Sequence, residues 1–275
     1  MGLGRSFRTY FRVRPNGFVD ALRLFSAFAR SAVLRLTIPS RFQSVGVVTR
    51  GIQNLHVVVD GIDFEVRPRT NDLDLISPKH EPLTTSWFRV RANDVVVDVG
   101  AHIGRYTLMA AANEATVIAI EPDPSNFRLL EKNVKLNGRS NVVLVPQAMT
   151  AKPGMLQLSP APATNTGTSS VEPDFMEKMW NPAANREIRV PGETLDNIVK
   201  AYGLSRIDWL KIDVEGHEIA VLEGARSALE ITRRLILEVT DLTDEPCRRI
   251  VEGHGFALVA VEHGNPASTW MLTKS

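Results

Sequence analysis

The densest group of reactive side chains lies at residues 213–218, which read Asp-Val-Glu-Gly-His-Glu. The group directly follows residues 207–212, which we predict to form a buried strand. Three acids and a histidine within six residues are costly to place beside a buried strand unless they face a ligand. The pattern therefore predicts a site here. In the alternative interpretation, Glu218 favours a helix N-terminus and His217 lies exposed in the first helical turn.

A glycine-containing loop forms a second candidate site, Asp98-Val-Gly100-Ala-His102-Ile-Gly104. Its glycines allow a tight turn and a close approach of a ligand to the backbone. The spacing lacks the third glycine of the dinucleotide fingerprint, which a bound pyrophosphate requires. It suits a phosphate-free ligand with an amino-acid end and an adenosine end, such as S-adenosylmethionine, whose ammonium group Asp98 could hold directly or through water. The alternative is a glycine turn in an unrelated α/β protein.

Glu121 follows the next predicted strand, 17 residues after Gly104. A carboxylate at this position can accept hydrogen bonds from both ribose hydroxyls of a nucleoside. The alternative is a helix-capping acid ahead of residues 122–124, although helix caps more often use Asp, Ser, Thr or Asn. Gln147 and Ala148 follow the third predicted strand and are placed to meet the adenine edge.

Strands and helices alternate from residue 95 onward, which predicts a doubly wound α/β fold with a mostly parallel, seven-stranded sheet. Ligands of such sheets bind at the carboxyl ends of the strands, near the point where the strand order reverses. Every candidate residue above lies at such an end. The last two predicted strands flank Gly264-Asn265 and form an antiparallel hairpin. The predicted strands are residues 95–99, 116–120, 142–145, 207–212, 235–239, 256–261 and 269–272, and the predicted helices are residues 106–112, 124–136, 219–229 and 245–254.

Four motifs, DVGAHIG, IEPDP, LKIDVEGHE and VLEGA, together resemble the FkbM family of class I S-adenosylmethionine-dependent methyltransferases. The resemblance covers residues 94–262 and extends to the ETLD segment at 193–196 and to Leu237-Glu238. KIDVEG is the most specific of these motifs, whereas the glycine loop is shared by the wider superfamily. The chain has His102 where the family often has Asn.

The resemblance implies methyl transfer from S-adenosylmethionine to a hydroxyl oxygen of a small-molecule, sugar or glycolipid acceptor. It implies that Asp213 lies at the methyl end, where it orients the acceptor or acts as base. Glu215 comes next, and His217 is a candidate proton acceptor because its ordinary pKa is near neutrality. The implied cofactor-binding residues are Asp98, Gly100, Ala101, His102, Gly104, Glu121, Gln147 and Ala148.

Two other functions compete with this interpretation. A non-catalytic module could keep the fold for binding, although the crowded acids at 213–218 weigh against it. A nicotinamide-dependent oxidoreductase would need the third glycine and a hydride-site pair such as Tyr-x-x-x-Lys, and the sequence has neither. We expect no metal requirement, with a magnesium ion held by Asp213 and either Glu238 or Asp241 as the alternative.

The composition is that of a globular protein, with 44% hydrophobic and 23% charged residues among 275. The single cysteine, Cys247, excludes an intramolecular disulfide framework and favours a reducing, cytoplasmic location. The net charge of +1 is unevenly distributed, because residues 1–59 hold nine arginines and a single acid, Asp20. We expect a basic N-terminal extension, residues 1–68, followed by a methyltransferase domain, residues 69–275.

The arginine-rich segment has an amphipathic pattern at residues 18–36, with Phe18, Leu22 and Phe25 at helical spacing. No stretch reaches the 18 or so uncharged apolar residues of a transmembrane helix. We expect this helix to pack on the main domain, with peripheral contact to an anionic membrane at its inner face as the alternative. Nucleic-acid binding is not expected, since aromatic stacking positions and a known binding motif are missing. The helix and the following hairpin could also mediate a homodimer.

Two further segments flank the predicted core elements. Residues 40–68 predict a small antiparallel lead-in, with strands at 45–49, 55–59 and 62–66 and a hairpin turn at Asp60-Gly61. Residues 159–192 are rich in Pro, Asn, Thr and Ser and interrupt the alternation of strands and helices. Because loops of this length in compact domains are usually functional or disordered, we expect a lid over the acceptor pocket, with a mobile surface excursion as the alternative.

Overall fold

The computed structural model describes residues 13–15, 17–23, 25–26, 29, 55–162, 165–172, 187–264 and 266–274. The predicted strand at 45–49 and residues 30–36 of the predicted N-terminal helix lie outside these residues. The strands are β1 (Val13–Pro15), β2 (Leu55–Val59), β3 (Ile62–Val66), β4 (Val95–Val99), β5 (Thr116–Ile120), β6 (Val142–Val145), β7 (Ala148–Met149), β8 (Gly154–Leu158), β9 (Ile188–Glu193), β10 (Trp209–Ile212), β11 (Arg234–Thr240), β12 (Phe256–Glu262) and β13 (Ala267–Lys274).

Eight helices with assigned bounds connect these strands in the described part of the chain. They are α1 (Asp72–Leu75), α2 (Pro82–Trp87), α3 (Arg105–Ala112), α4 (Pro124–Leu136), α5 (Leu195–Ala201), α6 (Glu218–Glu223), α7 (Arg226–Glu230) and α8 (Asp244–Gly253).

The central sheet has the strand order β12-β13-β11-β10-β4-β5-β6. Strands β4, β5, β6, β10 and β11 run parallel, and β13 is antiparallel to both β11 and β12. This confirms the predicted seven-stranded, mostly parallel sheet with its antiparallel C-terminal hairpin. The chain first builds outward from β4 through β5 to β6, and it later builds in the opposite direction from β10. The strand order therefore reverses between β4 and β10, which is where a ligand crevice is expected.

The central strands are buried on both faces, so their residues alternate between two hydrophobic cores. Val96 contributes to the core that also contains residues of α3 and α4. Its neighbour Val97 contributes to the core that contains residues of α5 to α8. The register pairs Lys211 with Asp98 and Ile212 with Leu237. The parallel strands therefore bring the chemically interesting residues to one edge of the sheet.

The lead-in hairpin of β2 and β3 turns at Asp60-Gly61, as predicted, and packs against α4. The Asn133 side chain on α4 accepts a hydrogen bond from the Glu65 N–H (2.8 Å) and donates one to the Glu65 carbonyl (3.3 Å). Asn137 makes the same pair of contacts with Asp63 (2.9 and 2.7 Å). Phe64 is buried in the core shared with α3 and α4. The hairpin is therefore packed into the main body of the protein.

Several details differ from the sequence-based expectations. The predicted helix at 219–229 is two helices, because the chain breaks at Gly224, where a Cβ atom would lie 2.1 Å from the Thr150 carbonyl oxygen. The predicted strand at 207–212 begins at Trp209, and Ile207 forms only an isolated bridge. A small sheet of order β7-β9-β8 was not predicted. Its strand β9 occupies the end of the segment expected to form a lid.

The described N-terminal residues 18–23 and 25–26 are helical. They expose Phe18 (78%), Leu22 (55%) and Phe25 (72%), so these side chains do not pack on the main domain as expected. No described helix is both long enough and apolar enough to cross a membrane.

Candidate active site

A cavity of about 410 Å³ lies at the carboxyl edge of the central sheet. Its lining comes from the ends of β4, β5, β10 and β11, from the loop before α2, and from residues 165–171. Among the predicted site residues, the structure brings Asp98, Gly100, Ala101, His102, Glu121, Gln147, Ala148, Asp213, Glu215 and His217 into this lining, and it leaves Gly104 outside it.

Gly100 brings the loop after β4 into direct contact with the loop after β10. Its φ is +84°, and a Cβ atom there would lie 1.8 Å from the Asp213 carbonyl oxygen. Only glycine combines this backbone conformation with so close an approach. Gly104 also has a positive φ of +100°, but a Cβ atom there would meet Leu130 on α4 at 2.8 Å. Gly104 therefore serves packing, whereas Gly100 shapes the cavity.

Asp98 is the last but one residue of β4 and is 1% exposed. Its Oδ2 accepts a hydrogen bond from the Thr107 hydroxyl (2.6 Å), whereas its Oδ1 is buried without a partner among the described residues. Burial raises the pKa of this carboxyl above its ordinary value. An unpartnered buried oxygen is costly unless a ligand supplies a donor. The site therefore fits the predicted contact with the ammonium group of S-adenosylmethionine.

Glu121 is buried directly after β5, where its carboxylate is held by two backbone N–H groups. Oε2 accepts from His102 (2.8 Å) and Oε1 from Asp123 (2.9 Å). Burial raises the pKa of Glu121 to about 7. Each oxygen keeps further acceptor capacity, which fits the predicted ribose contact. The alternative role of a helix cap belongs to Asp123, whose Oδ1 accepts from the N–H groups of residues 125 and 126.

The His102 backbone faces Glu121, whereas its ring points to other parts of the protein. The ring Nε2 lies 3.2 Å from Arg67 and 3.1 Å from the Thr166 hydroxyl. Asp72 accepts hydrogen bonds from Arg67 (2.8 Å) and from Thr166 (2.6 Å). The His102 ring therefore connects the loop after β4 to the end of the lead-in hairpin and to the described part of the predicted lid.

Lys211 and Asp213 form an ion pair at the end of β10, with Nζ donating to Oδ2 (2.7 Å); the Lys211 side chain is buried, whereas that of Asp213 is 26% exposed. Burial opposes both charges, but each charge stabilises the other. The pKa of Asp213 is therefore lowered, with help from Glu238, and that of Lys211 is raised. Lys211 was not among the predicted site residues. The sequence does contain a signal for it, because a lysine inside a buried apolar strand needs an acidic partner nearby.

Glu81 and Glu238 stand beside Asp213, and each of the three offers a carboxylate oxygen within 4.8 Å of the others. Tyr106 donates a hydrogen bond to Glu81 (2.7 Å), which has a φ of +47° ahead of α2. Burial and the charge of Asp213 raise the pKa of Glu238 well above its ordinary value. Asp241, the other residue considered for a magnesium site, is exposed after β11 and does not belong to this group.

His217 is buried, and both of its ring nitrogens contact protein groups. Nδ1 lies 2.6 Å from the Glu172 carboxylate, and Nε2 lies 3.2 Å from the Thr150 hydroxyl. The nearby Glu215 carbonyl accepts a hydrogen bond from Ser170 (2.6 Å). The described part of the predicted lid is therefore tied to the loop after β10.

Glu215 in this loop is half-buried, and Glu218 at the start of α6 is buried. Burial, followed by the charge of Asp213, raises the pKa of Glu215 well above its ordinary value. Burial also raises the pKa of Glu218 to about 7, although one of its oxygens accepts from the Gly216 N–H (2.8 Å). The loop thus holds several carboxyl groups whose protonation depends on their surroundings.

A doubly wound sheet with this glycine loop and with acids after consecutive strands defines the class I methyltransferase architecture. The chain belongs to the FkbM methyltransferase family, because residues 98–263 match the profile described as "Methyltransferase FkbM domain". That match covers more than half of the chain.

Three curated relatives carry methyltransferase names. The chain is 28% identical over 173 residues to Methyltransferase sdnD of Sordaria araneosa (54% of this chain, 66% of that protein). It is 28% identical over 148 residues to Hexuronic acid methyltransferase AglP of Haloferax volcanii (54% and 56%). It is 32% identical over 198 residues to 31-O-demethyl-FK506 methyltransferase FkbM of Streptomyces tacrolimicus (62% and 75%). The chain thus spans less than two thirds of the length of the first two relatives.

The uncharged ring of His102 makes folding stability depend on pH. Burial lowers its pKa from 6.5 to about 4, so its contribution is complete above pH 6.5 and is lost as the pH falls towards 4. Between these two pH values the unfolded chain binds a proton at His102 that the folded chain does not bind. His102→Asn removes this difference in proton binding. We expect its unfolding free energy to depend on pH less steeply than that of the wild type, by up to about 1.4 kcal/mol per pH unit.

Urea denaturation at several pH values between about 4 and 7 measures this difference. His263→Asn, which changes an exposed histidine, is the control and should keep the wild-type slope. Equal slopes for His102→Asn and the wild type would contradict the assignment.

Proposed function

We propose that this protein transfers a methyl group from S-adenosylmethionine to a hydroxyl oxygen of a small-molecule, sugar or glycolipid acceptor. The observation that carries the proposal is a single cavity with two chemically different sides. One side presents the unpartnered Asp98 oxygen and the backbone-held Glu121 carboxylate. The other side presents the ionised Asp213. The methyltransferase names of the relatives, two of which specify a sugar acid and an O-demethylated acceptor, support the same reaction class.

The cofactor side of the cavity is assigned to residues after β4, β5 and β6. Asp98 would hold the ammonium group, Glu121 the ribose hydroxyls, and Gln147 and Ala148 the adenine edge, while Gly100 leaves room for the backbone to approach. When bound, S-adenosylmethionine supplies an activated methyl group on a positively charged sulfur. The buried carboxylates lower the cost of placing that positive charge in the cavity.

The acceptor side is assigned to Asp213 and its neighbours. Alignment of the acceptor oxygen supplies much of the acceleration of a methyl transfer, and a positioned base adds roughly 10²–10⁴-fold. Lys211 keeps Asp213 ionised, so Asp213 can accept the hydroxyl proton as the new O–C bond forms. Glu215 stands beside it in the same lining. His217 serves mainly to hold the loop, since both ring nitrogens have protein partners.

Asp213→Asn tests this assignment. The amide cannot accept the proton, so we expect turnover to fall at least about 100-fold while affinity for S-adenosylhomocysteine stays within about threefold. The assay follows methylated product by mass in the presence of EDTA, because the proposal requires no metal ion.

Asp241→Asn, at an exposed position, is the matched control and should keep wild-type turnover. Full turnover by Asp213→Asn with normal cofactor binding would sink the assignment. Loss of wild-type turnover in EDTA would remove the metal-independent scheme.

We also propose that the segment 159–192 acts as a lid. Its described residues 165–171 line the cavity, and Ser169 donates a hydrogen bond to Asp123 beside the cofactor side (2.9 Å). On the acceptor side, Glu172 contacts His217. A ligand in the cavity would contact Ser169 and His217, which each form one of these two contacts. Ligand binding should therefore stabilise both contacts.

Limited proteolysis tests the lid. Cleavage within residues 159–192 should slow at least about threefold when S-adenosylhomocysteine is added, because ligand binding stabilises the closed arrangement. Glu172→Gln weakens the contact with His217 and should reduce this protection, whereas Asp241→Asn should not. Equal cleavage rates with and without the ligand would reject the lid.

We propose, thirdly, that the N-terminal helix lies on an anionic membrane surface. Its exposed apolar residues accompany an arginine excess in residues 1–59, which is the combination that anionic lipid attracts. Changing both Phe18→Ser and Phe25→Ser in the full chain should weaken binding to phosphatidylglycerol vesicles at least about fivefold.

Vesicle sedimentation measures this binding, with phosphatidylcholine vesicles as the uncharged comparison. Met155→Ser is the matched control, since Met155 is 53% exposed elsewhere in the structure. Binding that is unchanged by the double substitution would refute the membrane contact.

A further inference from the structure

The cavity extends along the carboxyl edge of the central sheet, and its two sides are formed by different groups of strands. The cofactor side is formed after β4, β5 and β6. The opposite side is formed after β10 and β11, by the loop before α2 and by the turn between β12 and β13. The groups on this second side determine which acceptor can approach Asp213.

Carboxyl groups dominate the acceptor side. Glu81, Asp213 and Glu238 come from three separate elements, yet their oxygens lie within 4.8 Å of one another. Glu81 is fixed from behind by the Tyr106 hydroxyl. Glu81 and Asp213 therefore form a preorganised pair of hydrogen-bond acceptors that faces the cavity, and Glu238 shares a proton with Asp213.

The cations in the described lining already have partners. Lys211 donates to Asp213. Arg105 donates to the carbonyl oxygens of Leu75 (3.2 Å) and His80 (2.5 Å) and to the Thr85 hydroxyl (2.6 Å). Burial lowers the pKa of His80, which keeps its ring uncharged near neutral pH.

Histidines elsewhere in the described lining do not alter this balance on the acceptor side. His102 and His217 are held by the contacts described above, and His263 lies exposed at the β12–β13 turn. Lys211 and Arg105 of the described acceptor side are thus engaged by protein groups, Arg105 also lying 3.7 Å from Glu81, and neither is free to pair with an acidic acceptor.

We propose that the acceptor side selects an uncharged polyhydroxyl group, such as a neutral hexose ring, and rejects an acceptor with a carboxylate or phosphate beside the methylated hydroxyl. Hydroxyl groups donate hydrogen bonds to Glu81 and Asp213, whereas an acidic group would face these two acids without a free counter-ion. This inference rests on the proposed function and narrows its acceptor class. It differs from the acceptor named for the Haloferax volcanii relative, which is a hexuronic acid.

Matched acceptor pairs test the inference directly. The methyl glycosides of glucose and galactose are compared with those of glucuronate and galacturonate, which differ only at the sixth carbon. Methylated product is followed by mass with the full-length protein. We expect the neutral member of a pair to react at least about tenfold faster, and Glu81→Gln to reduce this preference. Equal or faster reaction of the acidic member would overturn the inference.

A second measurement judges the charge of the site without any acceptor. S-adenosylmethionine carries a positive sulfur that S-adenosylhomocysteine lacks, so the ratio of their affinities reports the local field. Glu81→Gln should lower that ratio, in favour of S-adenosylhomocysteine, by about three- to tenfold, whereas Glu238→Gln replaces a carboxyl group that holds a proton and should change the ratio less. Asp241→Asn should leave it unchanged. Calorimetry that finds the same ratio in all variants would overturn the inference.

The two measurements separate this inference from the proposed function. If the protein binds S-adenosylmethionine but methylates neither member of any pair, sugar hydroxyl transfer fails, and the affinity ratios alone decide the charge of the site. If the acidic sugars are methylated, the proposed function survives and the inference fails.

Discussion

The partly buried ion pair between Lys211 and Asp213 is the interaction on which the rest of the site depends. Two charges removed from water are tolerated only when they pair closely and their remaining hydrogen-bonding groups are satisfied. The pair lies on β10, the strand that joins the two halves of the sheet, and Lys211 sits beside Asp98 in the register. One ammonium group therefore balances acids on both sides of the cavity. Losing it would leave Asp98 and Asp213 unbalanced together.

Much of the fold followed from sequence patterns because the βα core combines strong local signals with short connections. Continuous apolar runs marked β4 and β5, and Pro124 with Asn137-Gly138 marked the ends of α4. The break at Gly224 could not be predicted, since the close approach of this residue to a backbone carbonyl some seventy residues earlier is visible only in the folded chain. The small third sheet was missed for a similar reason. Its strands pair across the long segment that sequence alone indicates only as a loop.

The lining of the candidate site was predictable where polar residues lie at strand ends, as at Asp98, Glu121 and Asp213. Glu81 escaped selection as a site residue, because it lies in a loop bounded by prolines, and Glu238, inside a strand, was considered only as an alternative magnesium ligand. Their proximity to Asp213 depends on how α2 and β11 are arranged around β10. His217 illustrates the opposite case, since residue type suggested proton transfer while its position gives it two protein partners. Residue type alone cannot distinguish these uses.

The place of β10 between β4 and β11 also orders events during synthesis. Strand β4 ends at Val99, but the partner for its inner edge ends only at Ile212, more than a hundred residues later. A nascent chain that has not reached β10 therefore holds an apolar strand with one unpaired edge, which is a template for incorrect association. At that stage Asp98 lacks its neighbour Lys211, and the loop after β4 lacks its contact with Asp213. The side of the cavity formed by β10 and β11 consequently cannot assemble before the chain beyond Ile212 is available, whereas β4, β5 and β6 can pair earlier.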